Sequence, residues 1–128
     1  MNVAFSDRIV LGGPVESSDG ITFAGISVET VNDDGLLSLD EITKGVILIN
    51  SAILNDFHLL SRYTRAFQAT VAEELLFSHE SPLGPTTGVM IVVRSAVHVH
   101  TVQIFSLSSS FEEVEGQLRD ILHSFRLL

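Results

Sequence analysis

The sequence predicts an α+β fold, an antiparallel β-sheet with two amphipathic helices packed on it. Three observations lead there. Segments of alternating or apolar character recur along the chain, bounded by Gly, Pro, Asn or Asp. Two other segments pair a Ser-x-x-Glu start with apolar residues at 3-4-3-4 spacing, the mark of capped amphipathic helices. Each helix has one stripe to bury, and a hairpin-built sheet supplies the surface. The 128 residues contain no repeat, low-complexity tract or long linker, so 1–128 reads as a single domain.

In chain order, "RIVLGGPVESSDG" predicts a short strand, a turn at Gly12-Gly13-Pro14 and a second turn at Asp19-Gly20. "ITFAGISVETV" alternates, with Ile21, Phe23, Gly25, Ser27 and Glu29 on one face and Ala24, Ile26 and Val28 on the other. "NDDG" breaks it. Ser38 and Glu41 then form a capping box, and Asp40 and Glu41 suit the positive end of the helix dipole. The stripe is Leu39, Ile42, Val46, Ile49 and Ile53. Ile47, Leu48 and Leu54 widen it, which predicts a helix covered on more than one side and fading near Asn55-Asp56. "FHLLSRYT" (57–64) reads as a weak strand and "AFQATVAEELLF" (66–77) as an alternating one. "SHESPLGPTTG" (78–88), rich in Pro and Gly, reads as a loop. "VMIVVRSA" (89–96) is nearly all apolar and therefore central, and "VHVHTVQIFSL" (97–107) is its hairpin partner. Ser110 and Glu113 cap the second helix, whose stripe is Phe111, Val114, Leu118, Ile121 and Phe125, with Leu122 beside it. Gly116 either allows a close backbone approach or faces solvent. The order is β-β-α-β-β-β-β-α.

The charge balance excludes some functions. Seven basic residues face sixteen acidic ones, a net charge of −9, which repels phosphate backbones and argues against nucleic-acid binding. Without cysteine there is no disulfide, thiolate catalysis or cysteine-bound zinc. The longest apolar stretch, "GVILINSAIL", is too short to span a bilayer. "MNVAFSDRIV" has no cationic start followed by an apolar run. The expectation is a soluble chain, cytoplasmic as given, or exported or lipid-anchored if a leader has been removed. Apolar residues make up 45% of the chain, enough to leave a surface for a partner polypeptide or a second copy.

Candidate chemistry is sparse. His98 and His100, two apart on a strand, share a face and are the weak candidates for a metal site. A catalytic zinc needs a third ligand, and only Glu73, Glu74, His79 and Glu80 suggest themselves. Two ligands without a defined third favour a plain strand, so neither a metal nor a cofactor is expected. Glu73 and Glu74 point to opposite faces of their strand and cannot act together. No G-x-S-x-G elbow, phosphate loop or EF-hand spacing occurs. An enzyme is not expected, and a catalytic site is not assigned. His79 and Glu80 in the Pro/Gly segment, with Ile47, Leu48 and Leu54 of the first helix, are the candidate binding residues.

The last forty residues carry a resemblance. The hairpin "VMIVVRSAVHVHTVQIFSL" runs into a helix ending "ILHSFR", built from Ile121, Leu122, Ser124, Phe125 and Arg126. Upstream, "ITFAGISVETV" leads into the "SLDE" helix. This pattern over about 20–128 resembles the PsbP-like superfamily, which includes LpqN- and DcrB-type lipoproteins and Eag-type secretion chaperones. The resemblance implies an α/β/α sandwich and a binding role in bacteria, without catalytic residues. The reading is a non-enzymatic accessory module for another polypeptide, chaperone-like or associated with transport or secretion. The alternatives are a carrier of a small ligand or lipid between sheet and helices, and, behind it, a metal-dependent enzyme built on His98 and His100.

Overall fold

The computed structural model describes the backbone of residues 6–17, 20–95 and 97–124, and the side chains of residue 12 and of residues 24–95 and 97–124. Six strands form one antiparallel sheet: β1 (Ser6–Ser17), β2 (Gly20–Asn32), β3 (Asn55–Phe67), β4 (Thr70–Ser81), β5 (Gly84–Ser95) and β6 (His98–Leu107). Their order across the sheet is β1-β2-β6-β5-β4-β3. Helix α1 (Leu39–Ile53) packs on one face and α2 (Ser108–Ser124) on the other, giving an α/β/α sandwich.

The sheet has two cores. On the α2 side, Val89, Ile91, Val93, Val102 and Ile104 meet Phe111, Val114, Leu118 and Leu122. On the α1 side, Leu75, Phe77, Met90, Val92 and Val99 meet Leu39, Ile42, Val46 and Ile47. β5 feeds both, which is why its sequence is apolar at successive positions. Gly88 serves the second core, since a Cβ there would stand 2.6 Å from the ring of Phe77.

Several turns differ from expectation. Gly12-Gly13-Pro14 does not turn; it runs inside β1, paired with Gly25, Ala24 and Phe23. An edge strand tolerates a proline because one side of its backbone has no ladder to serve. The turn expected at Asp19-Gly20 falls partly outside the described residues, with Ser17 and Gly20 paired across it. The expected strand 66–77 is broken at Gln68-Ala69, a two-residue connection in which Gln68 takes a φ of 56°. Glycine or asparagine usually supplies that conformation, so glutamine hid the turn. The expected loop 78–88 is instead a continuation of β4, a turn at Pro82-Leu83 and the start of β5. Pro85 fits because β5 begins to pair with β6 only at Thr86.

The helices also refine the reading. The Ser38–Glu41 capping box forms reciprocally, with bonds of 3.1 Å each way. Helix α1 is covered on one side, not several: Thr43 is its one buried residue, and Leu48, Ile49 and Ile53 are 70%, 60% and 66% exposed. Helix α2 starts at Ser108, so Ser110 lies inside it and is not its cap. Ile121 is half-exposed while Leu122 is fully buried, which moves the stripe by one residue. Phe125 lies outside the described residues. Gly116 faces open space, the solvent alternative.

A candidate binding groove beside helix α1

The two helices are offset. Helix α2 lies mainly over β6 and β5, whereas α1 lies over β3, β4 and β5. The offset has local causes. Helix α1 passes into β3 through Leu54 alone, which pins it above that side of the sheet. At its other end the connection from β2 is fastened by Arg94 of β5. Its Nε donates to Asp33 Oδ2 at 2.7 Å, and its guanidinium also donates to Asp33 Oδ1 and to the Leu37 carbonyl. Asp33 N donates to the Val97 carbonyl at 2.7 Å. Bonds from Gly35 N–H and Arg94 hold the Asp33 carboxyl below its usual range.

A groove runs between α1 and the strands it leaves bare. One compartment, of about 160 Å³, has Val46, Ile49 and Ile53 as an apolar wall and Ser27, Glu29, Thr101 and Gln103 on its floor. The next, of about 340 Å³, is lined by Leu54, His79, Leu83, Phe105 and Leu107 among others. Ser27, Leu54 and Gln103 border both. The floor is set by register: Ser27 pairs with Gln103, and Glu29 with Thr101. All four alternate with core residues of the opposite face, such as Val102 and Ile104.

This floor is polar and unmet. Among the described residues, no hydrogen bond or ion pair engages the side chains of Ser27, Thr101 or Gln103, while the register sets Arg8 of β1 directly opposite Glu29. Ser27 is only 6% exposed, and no described group bonds its hydroxyl. Most buried polar groups on these faces are bonded. Thr43 Oγ1 donates to the Leu39 carbonyl at 2.8 Å and Ser106 Oγ to the Leu107 carbonyl at 3.0 Å. Ser81, beside His79 in the second compartment, donates to the Gly84 carbonyl and accepts from Leu83 N–H and Thr86 Oγ1. Its oxygen is committed to the turn.

The candidate binding residues divide. Leu54 and His79 come together in the larger compartment. The ring of His79 stacks on Phe77 at 6.1 Å, and its Nδ1 lies 3.2 Å from the Glu80 carbonyl. Ile47 packs into the core, Leu48 projects to solvent, and the exposed Glu80 pairs with Pro85 in the hairpin. Ser27, Glu29, Thr101 and Gln103 were not singled out by sequence. Their signal was present, as polar residues alternating within strands otherwise rich in Val and Ile.

His98 and His100 share the α2 face, as their spacing predicts. Their rings are 6.0 Å apart, and Thr30 Oγ1 lies 2.9 Å from His100 Nδ1. Burial, then the charge of His98, lowers the pKa of His100. Among the described residues no group of three metal-binding side chains forms. Glu73 and Glu74 do diverge to opposite faces. Glu73 accepts from Arg62 and Thr64, while Glu74 meets Arg65 at 2.8 Å and Arg119 at 3.6 Å. Burial pushes the Glu74 carboxyl up, against the pull of Arg119.

An antiparallel sheet held between two offset helices, with an open groove on one side, defines a class of α/β/α sandwich. Solved structures share the fold. One is a Pseudomonas aeruginosa protein of unknown function, labelled a candidate regulator. It has a TM-score of 0.79 and 10% identity, over 95% of this chain and 85% of that one. Another is cyanobacterial PsbP from Synechocystis, with a TM-score of 0.66 and 12% identity, over 99% of this chain and 95% of that one. A third is LpqN, involved in cell envelope biogenesis of Mycobacterium tuberculosis, with a TM-score of 0.53 and 12% identity, over 96% and 82%. The chain has the PsbP-like fold. No protein-family model and no curated protein matches its sequence. Among the described residues, no helix is long and apolar enough to cross a membrane.

Proposed function

We propose that this protein is a non-enzymatic accessory module that binds a segment of another polypeptide in the groove beside α1. The observation that carries the reading is the unmet polar floor next to an exposed apolar wall. A polypeptide offers what both surfaces lack: main-chain donors and acceptors for Ser27, Thr101 and Gln103, and apolar side chains for Ile49 and Ile53. From Thr101 to Leu107 the floor extends about 20 Å at the rise of a β-strand, room for roughly six extended residues. The roles printed for two structural neighbours, a candidate regulator and a protein of envelope biogenesis, fit an accessory part.

The larger compartment also favours a second reading, a small apolar ligand, because about 340 Å³ is the size of a modest ligand site. Co-purification from the source cells, joined to native mass spectrometry, separates the two. Polypeptide binding predicts a partner that is lost with Ile53→Asp and retained with Ile121→Asp on α2. A retained small molecule, with no polypeptide sensitive to Ile53→Asp, would replace the first reading with the second.

A further inference from the structure

The two outer strands of the sheet are guarded differently. Along β1 the sequence places Asp7, Arg8, Pro14 and Glu16, residues that discourage a further strand. β3 is 13 residues long and holds neither proline nor lysine. Among the described residues it pairs with β4 alone. Its first half is irregular, with register shifts between Asn55 and His58 and between Leu59 and Ser61. Such irregularity also discourages a new neighbour. From Ser61 to Phe67 the ladder is unbroken, and Ser61, Tyr63, Thr64 and Ala66 are exposed. This stretch has two charges, and both are drawn back into the molecule. Arg62 donates to Asp40 at 2.6 Å and to Glu73 at 3.4 Å, and Arg65 donates to Glu74 at 2.8 Å. The outer edge of β3 is therefore regular and unguarded over residues 61–67, roughly 20 Å at the rise of a strand.

We propose that residues 61–67 pair with the same stretch of a second copy, antiparallel about a two-fold axis at Thr64, so that two sheets join edge to edge. Residues that face each other must point to the same side of the sheet, so the axis falls on a residue. Only Thr64 as centre uses the whole regular stretch: Ser61 then faces the partner's Phe67, Arg62 the partner's Ala66, and Tyr63 the partner's Arg65. A centre at Arg62 or Arg65 would set like charges face to face. A centre at Tyr63 would run the ladder into the irregular register before Ser61. Tyr63 and Arg65 lie on the α2 face, opposite Glu74 and Ala72 of β4. Arg65 keeps its bond to Glu74 and offers the plane of its guanidinium to the partner's Tyr63, a contact made twice by symmetry. The net charge of −9 on each copy opposes association. That repulsion is screened beyond about 8 Å at physiological salt, and the paired stretch itself carries two arginines and no acid. The groove opens on the β6 and β2 side of α1, away from β3, so pairing leaves it free and the proposal stands apart from the polypeptide reading.

Analytical ultracentrifugation of the full chain over a concentration series tests it, with a species of twice 13.9 kDa expected at the upper end. Ala66→Lys sets a cation against the partner's Arg62 and should weaken the dimer about tenfold, while Ala66→Glu should tighten it by a similar factor, each contact occurring twice. Net charge acts in the opposite sense, because lysine lowers the overall repulsion and glutamate raises it. The sign of the response therefore reports the contact itself. The chain has no cysteine, so single cysteines give a second readout that serves if a residue-66 variant folds poorly. Thr64→Cys should yield a disulfide-linked dimer on oxidation and Ser61→Cys should not, since residue 64 alone meets its own copy. A monomer at every concentration overturns the proposal. So does a dimer indifferent to the charge at residue 66, or one that cross-links as readily from residue 61 as from residue 64.

Discussion

Two buried serines should respond to the same substitution with opposite sign. Ser106 is fully buried and donates to the Leu107 carbonyl at 3.0 Å. Ser106→Ala removes one net hydrogen bond and should cost about 1 kcal/mol. Ser27 is 6% exposed and its hydroxyl is unbonded within the described structure. An unmet buried hydroxyl costs about 1–3 kcal/mol, and the groove's open side argues for the low end. Ser27→Ala should therefore stabilise the free protein by about 1 kcal/mol. The two variants then differ by about 2 kcal/mol, or roughly 6–10 °C in Tm for a chain of this size. Urea unfolding with linear extrapolation reads the difference, provided the slopes agree. The same Ser27→Ala change should weaken partner binding, the signature of a group held ready for a ligand. If Ser27→Ala destabilises as much as Ser106→Ala, the hydroxyl has an internal role and the floor is not reserved for a partner.

Two further outcomes are expected. Leu122→Ala should cost about 2–5 kcal/mol because Leu122 is fully buried, while Ile121→Ala, at a half-exposed site, should cost about 1 kcal/mol or less; denaturation midpoints decide, and equal losses would contradict the register of α2. Glu74, raised above its ordinary 4.5 by burial, binds its proton at higher pH in the folded than in the unfolded chain. Its contribution is thus present below that ordinary value and lost as pH rises through the raised one. Glu74→Gln should flatten this decline in stability as pH rises above that ordinary value, measured by urea midpoints against pH, and an unchanged slope would refute the assignment.

The fold was legible where local chemistry and packing agree. The Ser38 capping box, the apolar run of β5 and the alternation of β2 each have one physical solution, and the structure adopts it. Turns failed where an atypical residue made the bend, as at Gln68, or where Pro and Gly sat inside strands at edge or close-packed positions, as at Pro14, Pro85 and Gly88. The α1 stripe suggested burial on several sides because periodicity reports which face is apolar, not how far a sheet extends beneath it. Only the offset of α1 shows that Ile49 and Ile53 lean over a groove. The floor escaped notice for a related reason. Ser27 and Glu29 were placed on a common face, but their meeting with Gln103 and Thr101 depends on β2 pairing with a strand some seventy residues later.

The central claim is that the groove beside α1 receives a polypeptide. A photo-crosslinking side chain placed at Ile53, and as a control at Ile121, tests it in the source cells. The account predicts covalent capture of one discrete polypeptide from Ile53, suppressed by Gln103→Lys, and none from Ile121. Capture from Ile121 alone, or capture from Ile53 indifferent to the floor substitution, would contradict it.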